Sequence, residues 1–491
     1  MLFTTVVFTL LFLPIAWAGF FALGRRSPPA AAAWLFLASL VFYSFWLPEA
    51  TLLLVASIAF NFFCGGRIAH ARQAVGRRWL IVAVCANLAV LAYFKYANFF
   101  VANLSHLLGT QWHLGKVLLP IGISFYSFTQ IAFLVDTYRG KVNEFNPIHY
   151  GLFVTYFPHL VAGPVLHHAQ MMPQFAESTT YRINGANVAA GLFIFALGLV
   201  KKVVLADGIS PYADAVFHAA DAGVMPQGRE AWLGALAYTL QLYFDFSGYS
   251  DMAIGLSLMF NIRLPANFNS PYRATNISEF WRRWHISLST FLRDYLYIAL
   301  GGNRRGPVRR YVNLVATMVL GGLWHGAGWS FILWGLLHGL YLMTNHAFRA
   351  LVGPELHARL SAFASWRLAS WLLTMLAVVA AWVFFRAETL HGALRVLQAM
   401  SLAGSDPAGP APLIWNAGLD LWRGALWCVA LGMMATTLPN SGAIGQWVLG
   451  RLQGQWWLRW YLGAFSMLCV ALLVLINTMR DSVSAFIYFN F

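Results

Sequence analysis

The sequence predicts an all-α polytopic membrane protein, with about eleven or twelve transmembrane helices plus interfacial or re-entrant helices. Three observations carry this. Of the 491 residues, 59% are hydrophobic and only 10% are charged, whereas a soluble chain carries roughly 25% charged residues. Apolar runs close to the ~20 residues that cross a bilayer recur from end to end. In the first half of the chain, basic residues also alternate between successive loops, as the positive-inside rule describes. The net charge of +15 therefore has its cause in the loops, and no soluble basic domain stands ready for nucleic acid.

The runs lie near 3–23, 31–47, 50–64, 79–94, 117–135, 148–166, 187–206, 231–260, 312–325, 329–347, 368–385, 422–438 and 458–478. The first has a cleavage-like Ala16-Trp17-Ala18, but no basic residue precedes it and Arg25-Arg26 follow it. It therefore reads as an uncleaved span with its N-terminus outside. Arg25 and Arg26, the loop 67–78, and Arg139 with Lys141 alternate with Pro48-Glu49 and the segment 95–116, which places the basic loops inside. No period of 20–50 residues repeats, which weighs against a secondary transporter built from internal repeats. The segment 403–413 is a Pro/Gly linker with no soluble domain on either side. The expectation is one integral membrane domain over 1–491, with N-terminal spans in 1–116, a central core in 117–350 and C-terminal spans in 351–491. Cys64, Cys85, Cys428 and Cys469 all fall in apolar runs without metal-ligand spacing. They read as small core hydrophobes, and neither a disulfide nor a metal site is expected.

Four stretches break the apolar rule. In Leu320-Gly-Gly-Leu-Trp-His325-Gly-Ala-Gly328 a histidine ends an apolar run among glycines. An ionisable group at membrane depth is costly and usually faces a bundle interior or a cavity. The bland alternative is a hydrogen-bonded histidine in a Gly-packed seam. Phe157-Pro-His-Leu-Val-Ala-Gly-Pro164, followed by His167-His168, carries two prolines and reads as an irregular interfacial loop. No carboxylate lies within helical reach of that histidine pair to support a metal. Gln241-Leu-Tyr-Phe-Asp245-Phe-Ser-Gly-Tyr249-Ser-Asp251 puts too many polar groups in one apolar helix for all to face lipid. Asp245 and Tyr249 share a face, and the stretch reads as a polar cavity wall or a satisfied interhelical network.

The fourth stretch runs from Asn276 to Leu300. Asn276 with Glu279 resembles a capping box. As one continuous helix it would set Arg282, Arg283, Ser287, Thr290, Arg293 and Asp294 opposite Trp281, Trp284, Leu288, Phe291, Leu292 and Tyr295, an amphipathic pattern suited to the membrane interface. His285 falls on the apolar side of such a helix, where a packed histidine is the plainer reading. The basic loop 301–310 follows and belongs inside.

Tyr243-Phe-Asp-Phe-Ser-Gly-Tyr-Ser-Asp251, Glu279-Phe-Trp-Arg-Arg-Trp-His285-Ile-Ser-Leu-Ser289, Leu323-Trp-His325-Gly326 and the terminal Phe486-Ile-Tyr-Phe-Asn-Phe491 together resemble the membrane-bound O-acyltransferase (MBOAT) family. Phe94-Lys-Tyr-Ala-Asn-Phe99 and Leu119-Pro-Ile-Gly-Ile-Ser-Phe125 extend the likeness toward the N-terminus, and it is thinnest over 352–455. The alginate-acetylating bacterial branch is the most similar in pattern. The stretch from His167 to Phe175 looks more like relatives that acetylate other polysaccharides or peptidoglycan.

The resemblance implies that His325 is the catalytic histidine and His285 its second family-typical one. Asp245, Tyr249, Asp251, Trp281, Arg282 and Trp324 would line the substrate path, a central tunnel. It further implies a cytoplasmic acetyl thioester such as acetyl-CoA as donor substrate, with no bound cofactor. The acetyl group would pass across a bacterial inner membrane to a periplasmic or membrane-anchored acetyltransferase partner that modifies an exported polysaccharide, alginate first and peptidoglycan or cellulose as alternatives. Chemically, a buried neutral histidine is a competent general base for a hydroxyl attacking a thioester. Backbone amides beside Gly326 or Gly328 are candidates for the oxyanion donors. No Ser elbow or motif-placed Cys points to a covalent acyl-enzyme. A precursor transporter is the competing class. The orientation has a direct check: a reporter fused after Arg78 should read inside and one near Ser105 outside, and the reverse pattern would invert the donor side.

Overall fold

A computed structural model describes residues 1–115, 117–161, 163–401, 411–479, 486 and 487. The described residues form helices and no strands. Six helices are long and apolar enough to cross a membrane by themselves: Val7–Gly24, Pro48–His70, Gln73–Leu108, Gly185–Asp221, Ala364–Arg386 and Trp456–Thr478. The bent pair Leu421–Thr437 and Ser441–Gly454 makes a seventh if it counts as one span. The larger sequence estimate also counted runs whose helices carry polar groups. Gly228–Met259, with Glu230, Asp245 and Asp251, and Trp329–Ala362 are 32 and 34 residues long. The chain is thus an all-α, multi-pass membrane protein.

Most helix starts follow local chemistry. Ser27 accepts a bond from the amide of Ala30 ahead of Pro28, and Asn146 accepts from Ile148 and His149 ahead of Pro147. Such caps satisfy orphan amides, while proline fits the first turn, where its missing N–H costs nothing. The run 148–166 breaks at Tyr156, whose φ of −49° and ψ of 111° separate Pro147–Thr155 from the short Phe157–Leu160. Pro158 sits inside that short piece, consistent with the irregular backbone read from its prolines. The linker expected at 403–413 lies largely outside the described residues; from Pro412 the chain is already in the helix Pro412–Asn416.

Contacts divide the chain into two compact units. One gathers Met1–Leu199, Tyr249–Ala266 and the segment from Ser441 onward. Its interior holds an aromatic cluster in which Phe12 and Phe157 meet edge-on at 5.2 Å and Phe42 and Phe157 lie 5.6 Å apart. Asn61 and Asn87 exchange side-chain amide bonds of 3.2 and 2.6 Å between Pro48–His70 and Gln73–Leu91. Within a bilayer such amides act as polar glue. Cys64 is buried nearby against Ala83 and Leu134, and Cys428, in the other unit, is buried as well. Cys85 is exposed and Cys469 intermediate, so only two of the four thiols are core groups as expected.

The other unit comprises Val200–Gly248 and Asn267–Asn440. Its central feature is a helical hairpin of Gly306–His325 and Trp329–Ala362. Glycines set its spacing. A Cβ at Gly322 would collide with the Phe331 carbonyl, and one at Gly335 with the Met318 carbonyl. A Cβ at Gly339 would sit 3.0 Å from the Val315 Cα. Small residues permit this approach of two backbones where lipid supplies no hydrophobic drive between helices. Elsewhere in this unit the fully buried Glu230 accepts from the Leu413 and Ile414 amides at 2.7 and 3.2 Å, capping the helix Pro412–Asn416 from a distance in sequence. Gly335→Val should therefore overpack the hairpin and lower stability by about 1–3 kcal/mol. A melting curve of the detergent-purified variant that overlays the wild type would contradict this packing.

Candidate active site

His325 is the last residue of Gly306–His325. Gly326 leaves the helix in extended backbone, and the second arm of the hairpin begins at Trp329. The imidazole is 4% exposed. Trp324, Trp334 and Phe385 surround it edge-on at centroid distances of 4.9, 5.1 and 5.2 Å. The glycines here serve both readings of the motif, because they close the hairpin seam and so hold the histidine at its tip. Their own amides are not free as oxyanion donors. The Gly326 amide bonds the Gly322 carbonyl at 3.4 Å and the Gly328 amide bonds the Gly326 carbonyl at 3.1 Å. Both N–H groups are already engaged, because the chain tightens as it turns between the two helices.

The segment 276–300 departs from the single amphipathic helix that its pattern predicts. Asn276 does start a helix, accepting from the Glu279 amide at 3.0 Å, and Glu279 reaches back to the Thr275 amide at 3.0 Å. That helix, Ile277–Arg283, stops after two turns, and a second one runs over Ile286–Phe291. His285 stands between them with φ 42° and ψ 54°. A non-glycine residue held there costs about 1–3 kcal/mol and needs its surroundings to enforce it. Asn267 and Asn269 do so. The Asn267 carbonyl accepts from the Ile286 amide at 2.9 Å, its side-chain oxygen accepts from the Ser287 hydroxyl at 2.6 Å, and the Asn269 amide donates to the Arg283 carbonyl at 2.9 Å. Ser287 thereby turns inward, away from the basic arc assigned to it. The break aims His285, 1% exposed, at the Phe246 ring at 4.7 Å, at Trp324 at 6.3 Å and at His325 at 6.3 Å. The two sequence-predicted histidines, forty positions apart, are neighbours.

The remaining predicted residues disperse. Arg282 is exposed, Arg283 pairs with Glu279 at 2.8 Å and Arg293 with Asp294 at 2.7 Å. Trp324 touches both histidines. Trp281 donates its indole N–H to Nδ1 of His338 at 3.3 Å. Asp245 and Asp251 do not form one polar wall with Tyr249. Lys202 bridges Asp245 at 2.7 Å and Asp207 at 2.8 Å. Tyr249 stacks on Phe3 at 4.9 Å and Phe486 at 4.6 Å, and Asp251 accepts from Ser441 at 2.7 Å. An α-helix turns by about 100° per residue, so positions six apart meet different neighbours. Within this stretch the ring of Phe246 packs on His285 at 4.7 Å. His167 and His168 lie 3.9 and 3.6 Å from the Asp136 carboxylate, a partner that chain-local reach did not reveal. Among the described residues no group of three metal-ligating side chains forms.

Two buried polar residues escaped the sequence reading. Lys202 is 4% exposed within the apolar run 187–206, and His338 is fully buried within the run 329–347. The rule that singled out His325 would have flagged both, since each is an ionisable group inside a span-like segment.

Buried imidazoles at a hairpin tip and an enforced turn, set among tryptophans and remote from bulk water, suit proton transfer to and from an oxygen or sulfur during group transfer. The fold and this site define a membrane-embedded transferase. The family model for the membrane-bound O-acyltransferases matches residues 75–386, which include Lys202, Asp245, His285, His325 and His338, and the chain belongs to that family. It is an O-acyltransferase. A peptidoglycan O-acetyltransferase of Helicobacter pylori is 45% identical over 430 residues, covering 82% of this chain and 80% of that protein. A probable alginate O-acetylase of Pseudomonas aeruginosa is 46% identical over 412 residues, covering 82% and 76%. A teichoic acid D-alanyltransferase of Bacillus subtilis is 28% identical over 242 residues, covering 46% and 59%.

The Lys202 bridge makes an ordered prediction. Lys202→Met removes the cation that bridges Asp207 and Asp245 and should cost about 3–5 kcal/mol, the penalty for breaking a buried pair. Asp245→Asn leaves a one-to-one pair of Lys202 with Asp207 and should cost less. Thermal melts of the two variants in the same detergent test the order, and an Asp245→Asn protein less stable than Lys202→Met would refute it.

Proposed function

We propose that this protein takes an acetyl group from an acetyl thioester on the cytoplasmic face, acetyl-CoA being the first candidate, for O-acetylation of a polysaccharide exported across a bacterial inner membrane. The observation that supports it most is the pairing of His285 and His325 at 6.3 Å inside the region that carries the family. In this reading His325 accepts the proton of the acceptor hydroxyl as its oxygen attacks the thioester carbonyl. The C–O bond forms, the C–S bond breaks as the tetrahedral intermediate collapses, and the proton passes on to the departing sulfur. No net proton is gained or lost. General-base catalysis of this kind contributes ~10²–10⁴-fold. His285, fixed by its enforced turn, orients the substrate or supports the base.

The first acceptor to test is alginate and the second is peptidoglycan, because relatives bearing those names cover equal shares of this chain. A periplasmic or membrane-anchored acetyltransferase is the partner that would receive the group or complete its delivery. The D-alanyl-transferring relative is more distant in sequence, which favours acetyl as the acyl group here. A precursor transporter would release no thiol from acetyl-CoA, so thiol release by the purified protein separates the two classes.

The histidines are tested by acetyl content of the exported polymer, with membrane levels of each variant followed by blot. His325→Ala should abolish the chemical step, and His285→Ala should leave weaker but measurable activity. Groups that act as a unit do not contribute additively, so the double variant should be about as inactive as His325→Ala alone. A stably inserted His325→Ala protein that acetylates normally would remove this residue from the mechanism.

A further inference from the structure

Asn267 has so far appeared only as a prop for the turn at His285, and that task uses only part of it. The residue is 1% exposed. Its side-chain oxygen accepts from the Ser287 hydroxyl at 2.6 Å and from the Ser287 amide at 3.4 Å, and its main-chain carbonyl accepts from the Ile286 amide at 2.9 Å. A backbone N–H only donates, so the atom that faces it is the carboxamide oxygen, and the NH2 group is the other end. That nitrogen is buried with no hydrogen-bond partner among the described residues. Native interiors leave few buried polar groups unsatisfied, and each one that remains calls for an explanation.

Its place in the fold is next to the histidine pair. The nitrogen and oxygen of a carboxamide lie about 2.2 Å apart, so the NH2 stands within about 6 Å of the Ser287 amide, two residues from His285. The next residue, Phe268, packs on Phe246 at 4.9 Å and on Trp284 at 5.1 Å, and Phe246 packs on His285 at 4.7 Å. His285 and His325 are themselves 6.3 Å apart. The carboxamide therefore sits among the side chains that surround the two imidazoles.

Acyl transfer needs such a group. The reacting carbonyl passes through a tetrahedral state whose oxygen carries negative charge, and fixed N–H donors aimed at that oxygen lower the barrier. The amides of Gly326 and Gly328 are engaged within the chain. The indole N–H of Trp334 is another buried donor near the pair, on a ring 5.1 Å from His325, but ring contacts alone hold it among the described residues. Asn267 is anchored by three hydrogen bonds, so its nitrogen needs no reorganisation when the charge develops.

We propose that the Asn267 carboxamide is the hydrogen-bond donor to the oxyanion of acyl transfer. As the acceptor oxygen bonds to the acyl carbon, the π electrons of the carbonyl move onto its oxygen, which takes an N–H from Asn267 Nδ2. Collapse returns that electron pair to the C=O bond and breaks the bond from carbon to the leaving group. The proton held by His325 passes to the leaving group, and Asn267 neither gains nor loses one. The two ends of the side chain thus have separate tasks. The oxygen keeps the His285 turn, and the nitrogen serves the reacting carbonyl. This rests on the thioester-donor reading above and adds to it a residue that acts on the same carbonyl.

The test compares acetyl-CoA with dithioacetyl-CoA, in which sulfur, a weak hydrogen-bond acceptor, replaces the carbonyl oxygen. Thiol release is followed with the full-length enzyme reconstituted in vesicles. Asn267→Asp keeps an oxygen for Ser287 and loses the N–H. It should lower kcat for acetyl-CoA about 10²–10³-fold with little change in KM, and lower the preference for acetyl-CoA over dithioacetyl-CoA about tenfold or more. A carboxylate buried there threatens folding, so the double variant Asn267→Leu with Ser287→Ala, which makes both bonded partners apolar, is measured beside it. It should lose the same preference. Ser287→Ala alone loosens the turn but spares the amide, so its melting temperature should fall while the preference stays. Either Asn267 variant, shown folded by its melting curve, with the wild-type preference would overturn the proposal and leave the nitrogen as a site for buried water. A Ser287→Ala enzyme that loses the preference as fully would overturn it too, because holding the turn would then be the whole role. A wild type that releases thiol from neither compound would sink the thioester-donor reading and this inference with it. An active wild type whose Asn267 variants keep the preference sinks this inference alone.

Discussion

The close approach of Gly306–His325 to Trp329–Ala362 is the contact on which the site depends. Three glycines let the backbones of the two helices meet at Gly322, Gly335 and Gly339, where any Cβ would strike or crowd the partner helix. That seam puts His325 at a tip enclosed by Trp334 and Phe385, and it places His338 one turn beyond Trp334. In lipid, apolar side chains gain little from moving between helix and bilayer, so this seam rests on dispersion and on the fit of small residues. The fit is therefore unforgiving, and the positions of the imidazoles follow from it.

The second constraint is the cost of polar groups at depth. The chain answers it locally and with specific partners. Lys202 serves two carboxylates, Asn61 and Asn87 serve each other, and Glu230 caps a helix near residue 412. These networks hold helices in register because a shifted helix would leave a charge or amide without its partner, a loss larger than most packing changes.

Strain is concentrated where the two histidines meet. His285 occupies a left-handed backbone conformation that Asn267 and Asn269 enforce from a separate loop. A regular helix through this point would have pointed the imidazole along the face shared by Trp281 and Leu292. The interruption turns it toward Phe246, Trp324 and His325 instead. The strain buys orientation, which general-base chemistry requires.

The sequence by itself determined the class of the fold and the placing of several helices, and it singled out His325 as a candidate, because hydropathy, proline and glycine act over a few residues of chain. Runs near 50–64, 312–325, 368–385 and 458–478 became helices over Pro48–His70, Gly306–His325, Ala364–Arg386 and Trp456–Thr478. The tertiary structure decided what needed a partner distant in the chain. It broke the 276–300 helix, because Asn267 and Asn269 offered the turn hydrogen bonds that outweigh a continuous helix there. It gave Asp245 to Lys202, Tyr249 to Phe3 and Asp251 to Ser441, although all three share one short polar stretch. It engaged the Gly326 and Gly328 amides that glycine content alone had left free for an oxyanion. Periodicity along a helix states which residues share a face. Which face meets which neighbour depends on packing between segments that the sequence separates by about twenty to two hundred and fifty positions.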